Sequence, residues 1–138
     1  LRASNYAGIA FGHAGCAAVH AMAYPLGGVH HIPHGQANQL MFADVMRKYQ
    51  QKKPVGKINQ LEELLAAELG TQPVFALNAL YELMDDVLKK APLREHGVTE
   101  DELPAFAKSV IETQQRLLGN NYVELTEEDL LNIYQKAF

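Results

Sequence analysis

Apolar residues recur along this chain at intervals of three and four, which predicts helices joined by short loops. A first helix is expected over residues 4–24, rich in Ala and Gly and ended by Pro25. A Pro/Gly turn at residues 25–28 and a loop should follow it. A second helix is then expected from His34 to Tyr49.

Four further helices are predicted from cap and breaker residues. Two of them cover residues 58–69, ended by Gly70, and residues 73–88, with Thr71 as the candidate cap. The other two cover residues 100–118 and the tail, and they begin at capping boxes formed by Thr99 with Glu102 and by Thr126 with Asp129. No run of alternating polar and apolar residues predicts a strand. The expected fold class is therefore all-α, a helical bundle-like domain of five to seven helices.

Composition narrows the class of protein. The 138 residues suit one domain, and a hydrophobic fraction of 48% is that of a globular protein. A formal net charge of −4 argues against a nucleic-acid partner. No 18-residue stretch is uniformly apolar, so no membrane span is expected. The single cysteine, Cys16, excludes an internal disulfide and fits a cytoplasmic protein.

Histidines supply the main functional signal, because five of the six lie between residues 13 and 34. A chain reversal between His20 and His34 would let the two imidazoles face each other. Imidazole suits Fe²⁺, Zn²⁺ and similar metals. A catalytic zinc site, however, usually has three protein ligands. On spacing alone, a metal site and a purely structural pair both remain open.

Helical offsets of seven and four place His13, His20 and Tyr24 on one face of the expected first helix. The Tyr24 hydroxyl can donate or accept a hydrogen bond, although a packed aromatic ring is the simpler interpretation. Cys16 is interpreted as a packing residue rather than a nucleophile. His30 and His31 are expected to be structural or exposed.

Four segments together resemble the C-terminal signature of the iron-containing alcohol dehydrogenases: Ala7–Phe11, Val19–Ala23, Pro25–Gly27 and Pro33–Gly35. The fourteen-residue gap from His20 to His34 matches the spacing of that family's last two metal histidines. The tail around residues 125–134 resembles the family's closing helix. The resemblance covers nearly the whole chain.

The resemblance implies a two-domain enzyme in which an N-terminal α/β domain binds NAD(P) and a helical domain binds a divalent metal. Family members hold the metal with one aspartate and three histidines. His20 and His34 would be two of these ligands, and the other two lie on a helix before the signature. Residues 1–138 are then expected to be a C-terminal fragment, inactive without the N-terminal domain. The implied cofactors are NAD and Fe²⁺, with Zn²⁺ as the alternative metal, and the enzyme is expected to form homo-oligomers.

Position 24 departs from the family pattern, since many members have a histidine four residues after the first signature histidine. This region looks most like the 4-hydroxybutyrate dehydrogenase branch, which converts 4-hydroxybutyrate to succinate semialdehyde with NAD. The resemblance is carried by Tyr24–Gly28, His31, Pro33–Gly35 and Ala37–Asn38. The resemblance makes Tyr24 a candidate catalytic residue that contacts nicotinamide or substrate. It places Phe11 in the wall of the cofactor pocket. The substrate carboxylate would need a donor, either His30, His31 or a residue of the other domain.

Two other functions compete with this one. His20 and His34 could join a carboxylate, such as that of Asp44, in a two-histidine, one-carboxylate iron site of an O₂-dependent enzyme. Alternatively, the chain could be a non-enzymatic helical module whose Ala/Gly-rich first helix binds another subunit.

Overall fold

The computed structural model describes all residues 1–138, and every regular element in it is helical. Eight α-helices span Arg2–Ala14 (α1), Ala18–His30 (α2), His34–Lys52 (α3), Lys57–Leu69 (α4), Pro73–Val87 (α5), Leu103–Thr113 (α6), Gln115–Leu118 (α7) and Glu127–Ala137 (α8). Short 3₁₀ turns cover Leu93–His96 and Glu100–Glu102. The all-α prediction is confirmed. The helix count exceeds the five to seven expected because two predicted helices are interrupted.

The first predicted helix, over residues 4–24, is wrong in two respects, because it is interrupted after Ala14 and its second part ends at His30, beyond Pro25. The chain leaves α1 at Gly15, whose φ of 77° lies in the region that favours glycine. Helix α2 then runs through Pro25 to His30, so the predicted turn at residues 25–28 is helical. Proline removes one backbone donor, but the turn around it is held by packing, with Leu26 fully buried. The chain reverses instead at residues 31–33, where His31 has a φ of 54°.

The fifth predicted helix, over residues 100–118, is also interrupted. It begins as a 3₁₀ turn, continues as α6, and breaks at Gln114 before α7. Its cap is confirmed, because the Thr99 backbone N–H donates to Glu102 Oε2 over 2.7 Å. The cap of α8 is confirmed in the same way, with the Asp129 N–H donating to Thr126 Oγ1.

The core lies between α2, α3, α6 and α8, which pack against one another. Small residues such as Ala18 and Ala21 on α2 are fully buried and let neighbouring helices approach closely. Tyr134 on α8 is also fully buried, and its hydroxyl donates to the Met22 carbonyl over 2.7 Å. The α2 helix is therefore held on several sides.

Two parts of the chain lie outside this core. Helices α4 and α5 pack mainly on each other. Helix α1 buries none of its residues, and it exposes Tyr6, Ile9 and Phe11. None of the helices combines the length and the apolar character that crossing a membrane requires.

Candidate metal and substrate site

His20 and His34 come together where α2 packs against α3. Their ring centroids lie 5.2 Å apart, and the ring planes are inclined by 53°. His20 is half-buried on α2, whereas His34 is exposed at the first position of α3. The structure thus brings together the two histidines that the sequence singled out.

The surroundings of His20 favour its neutral imidazole. Burial, and then the charge that His34 carries when protonated, lower the pKa of His20 below its ordinary value of 6.5. A neutral imidazole has the free lone pair that a metal requires. Two such nitrogen donors fit a divalent transition metal such as Fe²⁺ or Zn²⁺. No third His, Cys, Asp or Glu within residues 1–138 joins the pair.

Asn38 contacts the exposed member of the pair. Its Nδ2 lies 3.0 Å from Nε2 of His34, one helical turn earlier on α3. Such a bond fixes the orientation of the imidazole ring. This contact of Asn38 was not predicted, although the spacing of four residues from His34 is a sequence signal for it.

Tyr24 lies one turn beyond His20 on α2 and is 45% exposed. It borders a cavity of about 200 Å³ between α2 and α6, whose other polar lining residues are Ser109, Thr113 and Gln114. Tyr24 therefore stands at an open surface, on the helix that carries His20.

The residues expected on the preceding helix are separated from this region by the break at Gly15. Phe11 and His13 both lie exposed on α1. The expectation that His13 shares one helical face with His20 and Tyr24 is wrong, because α1 and α2 are different helices.

His30 is engaged elsewhere. Its Nε2 lies 3.1 Å from Glu102 Oε1, and its ring packs edge-on against Phe106. Hydrogen bonds from the Thr99 backbone, and more weakly the His30 ring, lower the pKa of Glu102, which keeps this carboxylate ionised. His31 remains exposed. Of the two histidines considered for a substrate carboxylate, only His31 keeps an exposed ring.

Asp44 does not join the histidines, so the predicted alternative of a two-histidine, one-carboxylate iron site is wrong. Its carboxylate is buried and accepts bonds from Arg47 over 3.1 Å and from Lys90 over 2.8 Å. A cavity of about 330 Å³ beside Arg47, Tyr81 and Lys90 lies between α3 and α5. The histidine pair does not line it.

A loop near the end of the chain holds the start of α2. The Asn121 Oδ1 accepts from the Ala18 backbone N–H over 2.8 Å and from the Tyr49 hydroxyl over 2.9 Å. The neighbouring Asn120 Nδ2 donates to the Cys16 carbonyl over 3.0 Å. Nothing in the local sequence of either segment indicates this contact across about a hundred residues.

The curated relatives of this chain are alcohol dehydrogenases and related reductases. A 4-hydroxybutyrate dehydrogenase from Clostridium kluyveri is 50% identical over 135 residues, which cover 98% of this chain and 36% of the relative. A lactaldehyde reductase from Escherichia coli is 33% identical, covering 96% of this chain and 35% of the relative. The chain thus spans about a third of the length of these proteins.

A solved structure and a family model indicate the same class of enzyme as these relatives. The crystal structure of a 1,3-propanediol oxidoreductase superposes with a TM-score of 0.73 at 29% identity, covering 87% of this chain and 32% of that one. The model of the Fe-containing alcohol dehydrogenase family, C-terminal, matches residues 1–138. The chain therefore belongs to the Fe-containing alcohol dehydrogenase family.

Proposed function

We propose that this chain is the metal-binding C-terminal domain of a two-domain, NAD-dependent alcohol dehydrogenase that interconverts 4-hydroxybutyrate and succinate semialdehyde. The observation that carries the proposal is the convergence of His20 and His34 in a chain that matches this family throughout. The 50% identity to a 4-hydroxybutyrate dehydrogenase supports the substrate.

In this proposal His20 and His34 provide two metal ligands, and a preceding α/β domain provides the others together with the NAD site. When bound, a divalent metal supplies Lewis-acid chemistry that polarises the C–O group of an alcohol or aldehyde. Fe²⁺ is the metal proposed, and Zn²⁺ fits the same donors. A homo-oligomer of such two-domain chains in the cytoplasm completes the proposal.

The residues of this chain then have distinct roles. Bound NAD would supply the hydride acceptor for oxidation of the alcohol, and the substrate hydroxyl would need a group to take its proton. The exposed Tyr24 hydroxyl is the proposed group for relaying that proton, or for contacting nicotinamide. Phe11 is the proposed apolar wall beside the cofactor. A second domain that covers α1 and the exposed face of α2 would bury both side chains and exclude water.

The metal assignment is tested by His20→Ala and His34→Ala in the full-length protein. Each variant should lose bound metal and NAD-linked activity together, because removing one ligand breaks the donor set. Metal content is measured by elemental analysis after purification. His13→Ala is the matched control, since His13 is exposed on α1 and should not alter metal content. Full metal occupancy in both site variants would contradict the assignment.

The substrate is tested by following NADH formation with 4-hydroxybutyrate beside ethanol, 1,2-propanediol and glycerol. We expect a clear preference for 4-hydroxybutyrate. Turnover of the other alcohols alone would keep the family activity and reject this substrate. Absence of NAD-linked turnover in the metal-loaded protein would favour the non-enzymatic module, for which the exposed apolar residues of α1 are the supporting observation.

A further inference from the structure

We infer that Asn121 is a positioning residue for His20, which it orients by capping the helix on which His20 lies. The inference rests on the proposed metal-binding function of His20. It assigns a role in metal binding to a loop residue just before α8, about a hundred residues after His20 in the chain.

Helix α2 has no cap of its own. The residue at its N-cap position is Ala17, which has no side-chain acceptor, so no cap bond forms within the helix. The first N–H groups of any helix lack partners inside it and need an acceptor from elsewhere. Asn121 Oδ1 supplies that acceptor to Ala18, two residues before His20.

The chemistry of the contact identifies the oxygen as the functional atom of Asn121. A backbone N–H can only donate, so the side-chain oxygen must face Ala18. The same oxygen accepts from Tyr49, and burial raises the pKa of Tyr49 to about 12, which keeps its hydroxyl protonated. The amide nitrogen of Asn121 is buried and has no hydrogen-bond partner. Asn121 therefore makes its contacts through the side-chain oxygen, as an acceptor, and its amide nitrogen makes none.

The contact also joins the two helices of the histidine pair. Ala18 lies on α2 with His20, and Tyr49 lies on α3 with His34. Asn120 adds a bond to Cys16 in the linker between α1 and α2. A shift of the first turn of α2 would therefore move His20 relative to His34.

The test measures Zn²⁺ affinity of the full-length protein by competition with a chromophoric chelator. Asn121→Ala should weaken binding by about 10-fold, the size of effect seen when a residue that orients a metal ligand is lost. Asn121→Asp keeps an acceptor for the Ala18 N–H and should stay within about threefold of wild type. Tyr49→Phe removes only the second donor and should also bind Zn²⁺ like wild type.

A second readout uses the metal-free protein. Hydrogen exchange of the first turn of α2 should accelerate in Asn121→Ala and remain slow in Asn121→Asp, with circular dichroism confirming that each variant is folded. Equal affinity of Asn121→Ala and wild type, or an equal loss in the Ala and Asp variants, would overturn the inference. If the Ala variant does not fold, a 10-fold loss in a folded Asp variant would overturn it. Unchanged metal binding in His20→Ala would instead refute the proposed function.

Discussion

Tyr134 shows how one buried hydroxyl supports the helix that carries His20. Burial raises the pKa of Tyr134, so its hydroxyl stays protonated and donates to the Met22 carbonyl. Tyr134→Phe removes this bond and should lower the free energy of unfolding by about 1 kcal/mol. Urea denaturation measures the change. Tyr6→Phe is the control, because Tyr6 is exposed on α1. Equal effects of the two substitutions would contradict a role for the buried bond.

Asp129 should make the stability of the protein depend on pH. Burial opposes ionisation of this carboxyl, but hydrogen bonds from Lys52 and Thr126 outweigh it and lower the pKa from 3.8 to about 2. The folded state therefore binds a proton less readily than the unfolded state, so stability is present above about pH 4 and lost toward pH 2. Because solvent screens a surface ion pair, we expect a contribution of about 1 kcal/mol.

Asp129→Asn tests that contribution through unfolding free energies measured between pH 2 and pH 7. The variant should be less stable than wild type at pH 7 and equal to it near pH 2. Glu128→Gln is the control, since Glu128 is exposed in the same helical turn. A constant difference between Asp129→Asn and wild type across this range would rule out the ionised carboxylate as the cause.

The linker between α1 and α2 requires glycine at position 15. A Cβ on Gly15 would lie 2.5 Å from Asn120 Nδ2, and the positive φ adds strain. Gly15→Ala should therefore destabilise the protein by about 1–3 kcal/mol. Gly12→Ala is the matched substitution, because a Cβ there meets nothing and α1 should gain about 0.5–1 kcal/mol. Thermal unfolding distinguishes the two, and equal changes would contradict this account.

The helix limits that the sequence predicted correctly depend on local chemistry. The Thr126/Asp129 cap of α8 is made within four residues, and Gly70 ends α4 in the left-handed conformation. The limits that it missed depend on distant residues. Gly12 continues a helix and Gly15 ends one. What distinguishes them is Asn120, which donates to the Cys16 carbonyl and occupies the space that a Cβ on Gly15 would need.

In the site, too, the features that depend on nearby residues were predictable, and those that depend on distant residues were not. The pairing of His20 with His34 was predictable because a reversal within fourteen residues can bring the two rings together, although the reversal lies at residues 31–33 and not at 25–28. Asn38 could have been found from its helical spacing to His34. The role of Asn121 could not, because no local pattern links it to Ala18.

At the scale of the whole molecule, packing divides the chain into a protected core and an exposed helix. Helix α1 buries no residue, whereas α2, α3, α6 and α8 share the core. In the 138-residue chain, amides of α1 should exchange with solvent within seconds to minutes, while those of α2 and α8 should be protected far longer. Mass spectrometry of exchanged peptides measures this. Protection of α1 equal to that of α2 would show that α1 packs on the core.

The link between Asn121 and Ala18 has a consequence for the order in which the protein is made. The ribosome releases His20 and His34 before Asn121, because the side chain that caps the helix of His20 emerges about a hundred residues after that helix begins. Contacts of such long sequence separation form late, because the intervening chain must first lose its freedom. The nascent chain thus carries His20 on a loosely held helix until Asn121, just before α8, has been synthesised. If His20 and His34 bind metal as proposed, newly made protein should acquire it after, rather than during, translation.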